Sequence, residues 1–230
     1  MARTAIIIVA GGSGLRMGGT LPKQFRMLGA QPVLAATINR FHEALPEAQL
    51  IVVLPEAHRA FWENLRARFE VARHTVVLGG AERFHSVKNG LAAVGFEVEL
   101  VGVHDAVRPL ASVELIRRTA AAATEFGTAV PVVEVIDSYR LLDNEGGSTI
   151  FDRRMLRISQ TPQFFNRALL DHAYEAPFTP LFTDDASVVE ALGEKIHLVE
   201  GERSNLKLTT REDFIIAEAL LTAQQTPQEE

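Results

Sequence analysis

Short, unbroken aliphatic runs alternate with longer helix-period segments over roughly the first 130 residues, and this alternation constrains the fold more than any other feature. The runs occupy residues 4–10, 50–54, 75–78, 100–104 and 128–133. Each reads as continuous Val, Ile and Leu, the pattern of parallel strands covered on both faces. Between them, residues 32–45, 56–69, 86–94 and 112–125 carry helical periodicity, with Pro32 suited to a first turn and Ser112 to an N-cap. Strand–helix alternation of this kind predicts right-handed βαβ units: an α/β fold whose mostly parallel sheet has helices on both faces.

The pattern changes after Val133. Residues 134–159 are polar and strand-like, and Asn144-Glu145-Gly146-Gly147 supplies a turn between strands at 139–142 and 148–151. No helix separates those two strands, so they read as a hairpin leaving the sheet. A lone hairpin is marginal in water, which makes a second subunit a candidate cover. Helices are then expected at 167–174 and 185–192, strands at 195–199 and 205–208, and a last helix at 211–223. Thr210 followed by Asp213 makes a capping-box variant for that helix. The predicted organisation is one domain, residues 1–133 with 160–230, carrying residues 134–159 as a β-arm and dimerisation element.

Composition removes several classes of function. With no cysteine, disulfides, thiolate metal sites and a cysteine nucleophile are excluded. The net charge of −6 comes without a basic stripe, which argues against nucleic acid as a partner. No stretch approaches the roughly 20 apolar residues needed to span a bilayer. The run at 4–10 leads into a glycine loop rather than a cleavage site, so the expectation is a cytoplasmic protein without a membrane partner.

Three segments at predicted strand ends carry the chemistry. Ala10-Gly11-Gly12-Ser13-Gly14-Leu15-Arg16 follows the first strand, with Pro22-Lys23-Gln24 just beyond. Glycines there let backbone amides approach phosphate oxygens, and Arg16 and Lys23 add positive charge. The segment lacks the Lys-Ser/Thr of a Walker loop, and Met17 stands where a dinucleotide fingerprint needs its third glycine. Gly79-Gly80-Ala81-Glu82-Arg83-Phe84-His85-Ser86 follows the third strand, and Ser86 fits either a helix N-cap or a base contact. Val103-His104-Asp105-Ala106-Val107-Arg108 ends the fourth strand, where ligands of open α/β sheets bind. There Asp105 could hold Mg²⁺ and Arg108 an anion, or the two could form a simple ion pair. His104 reads as a structural hydrogen-bonder. Asp137-Ser138, Asp152-Arg153, Thr161-Pro162-Gln163, Thr183-Asp184-Asp185 and Asn205-Leu206-Lys207 each read alone as turns or caps, with Thr183 or Asp185 a suitable N-cap.

In their order and spacing, AGGSGLRM…PKQF, GGAERFHSV, VHDAVRP, DRRMLRISQTPQFF, TDDAS and NLKLT resemble the 2-C-methyl-D-erythritol 4-phosphate cytidylyltransferase family over nearly the whole chain. The resemblance implies a Rossmann-like nucleotidyltransferase with a protruding β-arm that helps form a homodimer, and Mg²⁺-dependent transfer of CMP from CTP to methylerythritol phosphate. Arg16, Lys23, Arg153 and Lys207 would be catalytic. Ala10, Gly11, Gly12, Gly14, Gly79, Gly80, Arg83, Ser86, Asp105 and Ala106 would surround CTP. Asp105, Arg108, Ser138, Arg153, Thr161, Thr183 and Lys207 would border the acceptor, with Arg153 reaching in from the partner's arm and Ser138 standing where threonine is common. Asp105 would be the metal residue. The alternatives are ribitol 5-phosphate as acceptor, or a non-catalytic CTP-binding or scaffolding protein.

Overall fold

A computed structural model describes residues 2–11 and 21–225 of the chain. The aliphatic runs form β1 (Thr4–Val9), β4 (Gln49–Leu54), β5 (Thr75–Leu78), β6 (Leu100–Asp105) and β7 (Thr128–Glu134). Two short strands, β2 (Met27–Leu28) and β3 (Gln31–Pro32), pair with each other beside the main sheet. The intervening helices are α1 (Val33–Ala44), α2 (Glu56–Arg66), α3 (Arg83–Ala92) and α4 (Val113–Phe126). The α4 helix starts where sequence places it, because the Ser112 hydroxyl accepts from the Leu115 amide. It ends at Gly127, whose φ of 82° is left-handed.

β4 and β6 flank β1 in parallel register, and β5 extends the sheet beyond β4. Alternate side chains of β1 serve two separate cores. Ile6 and Ile8 pack with Leu34, Ile38 and Phe41 of α1 and with Leu115 and Ile116 of α4. Ala5 and Ile7 face Val87 and Leu91 of α3 on the opposite side. Both faces of the strand are thus apolar, which is why its sequence shows no alternation.

The C-terminal half carries the rest of the sheet. β10 (Arg157–Ser159) and β11 (Gln163–Asn166) run antiparallel to β7, and β11 also pairs antiparallel with β6. Neither strand is an aliphatic run, so neither stands out from its pattern. The hairpin strands β8 (Tyr139–Leu142) and β9 (Ser148–Phe151) fall where sequence places them and form a separate two-stranded sheet. α5 (Arg167–Ala173) and α6 (Asp185–Glu190) cover the α3 face. β12 (Leu198–Glu200) pairs in parallel with β7. α7 (Arg211–Gln225) closes over Val107, Leu110 and Leu208. Its start uses Asp213, which accepts from the Thr210 amide at 2.7 Å while its own amide donates to the Thr210 hydroxyl.

Three local expectations are corrected. Residues 205–208 form no strand: the Leu208 amide bonds the Val107 carbonyl and the Asn205 carbonyl accepts from Arg108, so the segment has no ladder. α3 begins three residues before Ser86, and the N-cap of α6 is Asp184 rather than Thr183 or Asp185. Among the described residues no helix is long and apolar enough to cross a membrane.

Candidate active site

The chain leaves β1 towards β4 on one side and returns to β6 on the other, so the carboxyl ends of β1 and β6 border the switch point where α/β sheets bind ligands. Val9 and Asp105 are register partners there. A cavity of about 330 Å³ opens beside them, lined by Ala10, Gly11, Lys23, Gly79, Gly80, Arg83, Ser86, Asp105 and Lys207 among others. The structure brings these nine positions, singled out from separate segments of the sequence, to one place.

Lys23 opens a 3-10 turn, Lys23–Phe25, that is fixed on both sides of the cavity wall. The buried Gln24 amide donates to the Ala10 carbonyl at 2.9 Å. Phe25 lies among the rings of His58, Phe61 and Trp62 from α2. Across the cavity, Ser86 donates to the Glu82 carbonyl and accepts from the Gly80 amide, both at 3.1 Å. It therefore ties the glycine loop to the first turn of α3 from inside the helix and is not its N-cap. The glycines are needed for space rather than for unusual backbone angles: a Cβ on Gly80 would lie 2.3 Å from that of His85.

Asp105 is the electrostatic centre. Its carboxylate meets Lys207 Nζ at 2.9 Å, Arg108 Nε at 3.4 Å and Arg83 Nε at 3.5 Å. Burial alone would raise its pKa, but Arg83, Lys207 and Arg108 together hold it well below the usual carboxylate range. Sequence weighs an Asp105–Arg108 pair against a functional site; the structure contains the pair inside a larger cluster. Arg83 makes a second, bidentate contact with the fully buried Asp185, at 2.6 and 2.9 Å. Burial works against its charge, and Asp185 and Asp105 outweigh it, so its pKa is raised. Tyr174 donates to the same Asp185 at 2.7 Å, and burial followed by that carboxylate pushes the phenol upward.

His104 is structural, as its sequence position suggests. One ring nitrogen lies 3.1 Å from the Arg108 carbonyl and the other 3.0 Å from the Thr161 hydroxyl, which itself accepts from the Asp105 amide. Burial lowers its pKa to about 3, so the ring is neutral. The neutral ring donates to the carbonyl and accepts from the threonine, holding the end of β6 against the 159–163 segment.

A second cavity, of about 230 Å³, shares Arg83, Asp105 and Lys207 with the first and adds Arg108, Thr161 and Thr183. Its floor is built from side-chain amides. Gln160 donates to the Glu202 carbonyl at 2.8 Å and accepts from the Glu202 amide at 3.1 Å. Gln163 donates to Asp184 at 2.9 Å and accepts from the Ala186 amide at 2.9 Å, gripping the start of α6. Asn205, fully buried, donates to the Thr161 carbonyl. Sequence motifs contain these residues without marking them, because an amide that braces a loop reads like any polar turn residue.

Other predicted positions lie elsewhere. Ala106 is buried and lines neither cavity; its carbonyl accepts from Thr37. Ser138 is exposed beside the hairpin. Arg153 lines a separate surface cavity with Glu134, Ile136, Arg154 and Arg157, and its guanidinium donates to the Ile136 carbonyl. Within one chain, neither Ser138 nor Arg153 lines the two cavities. Gly12, Gly14 and Arg16 lie outside the described residues.

The donors fit a magnesium ion that arrives with phosphates. Among the described residues no group of three or more His, Asp or Glu side chains forms a cage. Mg²⁺ commonly binds through one or two carboxylates together with substrate phosphates and waters, and Asp105 offers one carboxylate at the cavity wall.

The family model for 2-C-methyl-D-erythritol 4-phosphate cytidylyltransferase matches residues 4–223. A protein of that name from Bacteroides fragilis is 48% identical over 223 residues, spanning 96% of this chain and 100% of its own length. Among solved structures, the 2-C-methyl-D-erythritol 4-phosphate cytidylyltransferase of Thermus thermophilus is similar with a TM-score of 0.76 and 32% identity, covering 96% of this chain and 99% of that one. The 4-diphosphocytidyl-2C-methyl-D-erythritol synthase of Anaerococcus prevotii superposes with a TM-score of 0.82 at 29% identity, again over 96% and 99%.

Proposed function

Because this chain belongs to the 2-C-methyl-D-erythritol 4-phosphate cytidylyltransferase family, we propose that its larger cavity takes CTP and its smaller one the phosphate of methylerythritol phosphate. The reaction is transfer of CMP: an acceptor phosphate oxygen bonds to the α-phosphorus of CTP, and the bond from that phosphorus to the leaving pyrophosphate breaks. The observation that carries the assignment is the shared wall, since Arg83, Asp105 and Lys207 face both cavities where the two phosphates must meet.

No side chain is needed to remove a proton. A phosphate monoester has its second pKa near ~6, so the nucleophile is largely dianionic at neutral pH. The barrier is the approach of one anion to another, and positioned charge lowers it. Lys23 stands on its anchored turn and lines the larger cavity, on the proposed nucleotide side. Lys207, half-exposed and held by Asp105, faces both sides. Arg16 joins Lys23 by the family resemblance. Gly79, Gly80 and Ser86 form the wall suited to the nucleoside, while Arg108, Thr161 and Thr183 border the acceptor. Asp105 would hold Mg²⁺, whose charge, when bound, offsets that of the phosphates.

Within one chain Arg153 and Ser138 line neither cavity. We propose a homodimer in which each β-arm delivers them to the partner's smaller cavity. The arm supports this, for Ile136, Leu142, Ile150 and Met155 are all exposed on it, and a two-stranded hairpin gains stability from such a cover. Pyrophosphate release with CTP and Mg²⁺ tests the whole reading. Methylerythritol phosphate should drive it, and ribitol 5-phosphate should not. Release with ribitol phosphate alone would overturn the acceptor assignment, and silence with both would overturn catalysis.

A further inference from the structure

Asp185 lines neither cavity, yet it is fully buried and spends its carboxylate on Arg83, which lines both. Its two oxygens take Arg83 at 2.6 and 2.9 Å, and one of them also takes the Tyr174 hydroxyl at 2.7 Å. The Tyr174 ring stacks on Phe84, the residue after Arg83, with centroids 4.7 Å apart. Asp185 is itself held at the first turn of α6, whose Asp184 cap is gripped by Gln163 of β11. A continuous chain of contacts therefore runs from the acceptor side of the site to the first turn of α3 on the nucleotide side.

Arg83 has a second carboxylate within reach. Its Nε lies 3.5 Å from Asp105, which Lys207 already occupies at 2.9 Å. While Asp185 holds both terminal nitrogens, Arg83 leans on Asp105 only through Nε. Without that hold, this guanidinium, 27% exposed, would turn to the remaining carboxylate, Asp105, and compete there with Lys207, since a partly buried charge gains from a partner.

We propose that Asp185 is a positioning residue for the transfer reaction: acting through Arg83, it keeps Asp105 available to Lys207 and sets the nucleotide wall from the acceptor side. This rests on the assignment of the two cavities to CTP and acceptor phosphate. The role has a signature that simple support of α6 lacks. The start of α6 borders only the smaller cavity, through Thr183 and Asp184. Loosening it would therefore raise the KM for acceptor alone. Loss of the hold on Arg83 reaches the larger cavity too.

The test is a kinetic double-mutant cycle on the full chain, with both KM values and kcat measured for Asp185→Asn, Arg83→Ala and the double variant. Asp185→Asn should raise the KM for CTP at least fivefold and lower kcat about tenfold or more. The double variant should be no worse than Arg83→Ala alone. A rise confined to the acceptor KM, or losses that multiply in the double variant, would overturn the proposal. Tyr174→Phe gives the same cycle with a milder lesion should Asp185→Asn fail to fold; it should raise the KM for CTP about twofold, and not in an Arg83→Ala background. An unchanged KM for CTP in Tyr174→Phe would count as refutation in that case. An inactive wild type would instead refute the cavity assignment itself, so the two failures are separable.

Discussion

Asp105 has cation partners of very different burial, and removing them one at a time should separate catalysis from stability. The Lys207 side chain is 46% exposed and that of Arg108 10%. At 2.9 Å in a water-like dielectric, the Lys207–Asp105 attraction is worth about 1.4 kcal/mol. Ordering a long, half-exposed lysine consumes much of that, so the net contribution to folding is about 0–1 kcal/mol. In the proposed role the same ammonium would meet charge that develops only in the transition state, where one such donor is typically worth about 2.7–4 kcal/mol. Lys207→Ala should therefore lower kcat by about 10²–10³ while leaving unfolding free energy within about 1 kcal/mol of wild type. Arg108→Ala should behave differently. It strips a buried carboxylate of one cation and leaves the Asn205 carbonyl with only the long 3.5 Å contact from Gln160 in place of the 2.8 Å one, a loss of about 3 kcal/mol or more in stability. Steady-state pyrophosphate release and urea unfolding on the same preparations measure both quantities. A Lys207→Ala protein destabilised by more than about 2 kcal/mol, or one with kcat within about threefold of wild type, would refute the reasoning.

Other outcomes follow from the same geometry. Lys23→Ala should reduce kcat far more than CTP affinity measured by calorimetry, because its contribution grows in the transition state; equal losses would remove it from the catalytic set. Gly80→Ala places a Cβ 2.3 Å from that of His85, and the displaced loop should raise the KM for CTP about tenfold with the acceptor KM unchanged. Mixing Arg153→Ala with Lys207→Ala protein should restore activity to about a quarter of wild type if arms are exchanged between copies of a two-fold dimer; a mixture as inactive as its parents would refute the exchange. His74 is kept neutral chiefly by burial, with the Ala72 carbonyl and Glu63 favouring its charge and Arg66 opposing it. Its pKa is therefore lowered from 6.5 in the fold, and its contribution to stability is complete above about pH 6.5 and declines as pH falls below it. Trp62, the sole tryptophan, donates to His74 at 3.1 Å, so its fluorescence can follow unfolding. Urea midpoints at pH 7.5 and 5.5 should differ less in His74→Gln than in wild type.

The parallel half of the sheet is legible in the sequence because each of its central strands is buried on both sides and so cannot hide among polar residues. The hairpin is equally plain, with Gly146 at a φ of 84° where the turn needs it. β10 falls within the stretch read as strand-like, but β11 escapes notice for a physical reason. It is only four residues long, and its two buried phenylalanines are flanked by Gln163, which grips the start of α6, and Asn166, which caps α5. The site shows the same division. The glycines and Asp105 are recognisable by type and by position at strand ends, Lys23 by its charge shortly after the first glycine segment, and Lys207 only through the family resemblance. Asp185 is not, because its importance lies in contacts with Arg83 and Tyr174, 102 and 11 residues away in the chain. Ser86 fits a cap or a base contact by pattern; in the fold it is no cap but a brace for the glycine loop.

The amide floor of the smaller cavity bears on how such a pocket could change its preference. Gln160 and Gln163, with Asn205 behind them on the Thr161 carbonyl, carry no ionisable group, so the scaffold of this cavity keeps its shape across the pH range in which a phosphate monoester titrates. Recognition and support are thereby divided between different residues. Thr183 can give way to another small polar side chain without disturbing the charges around Asp105, whereas Thr161 is itself part of the support, bonded to the Asp105 amide and to His104. If the smaller cavity takes the acceptor as proposed, its preference can shift at an edge residue such as Thr183 while the charged wall shared with the larger cavity stays fixed.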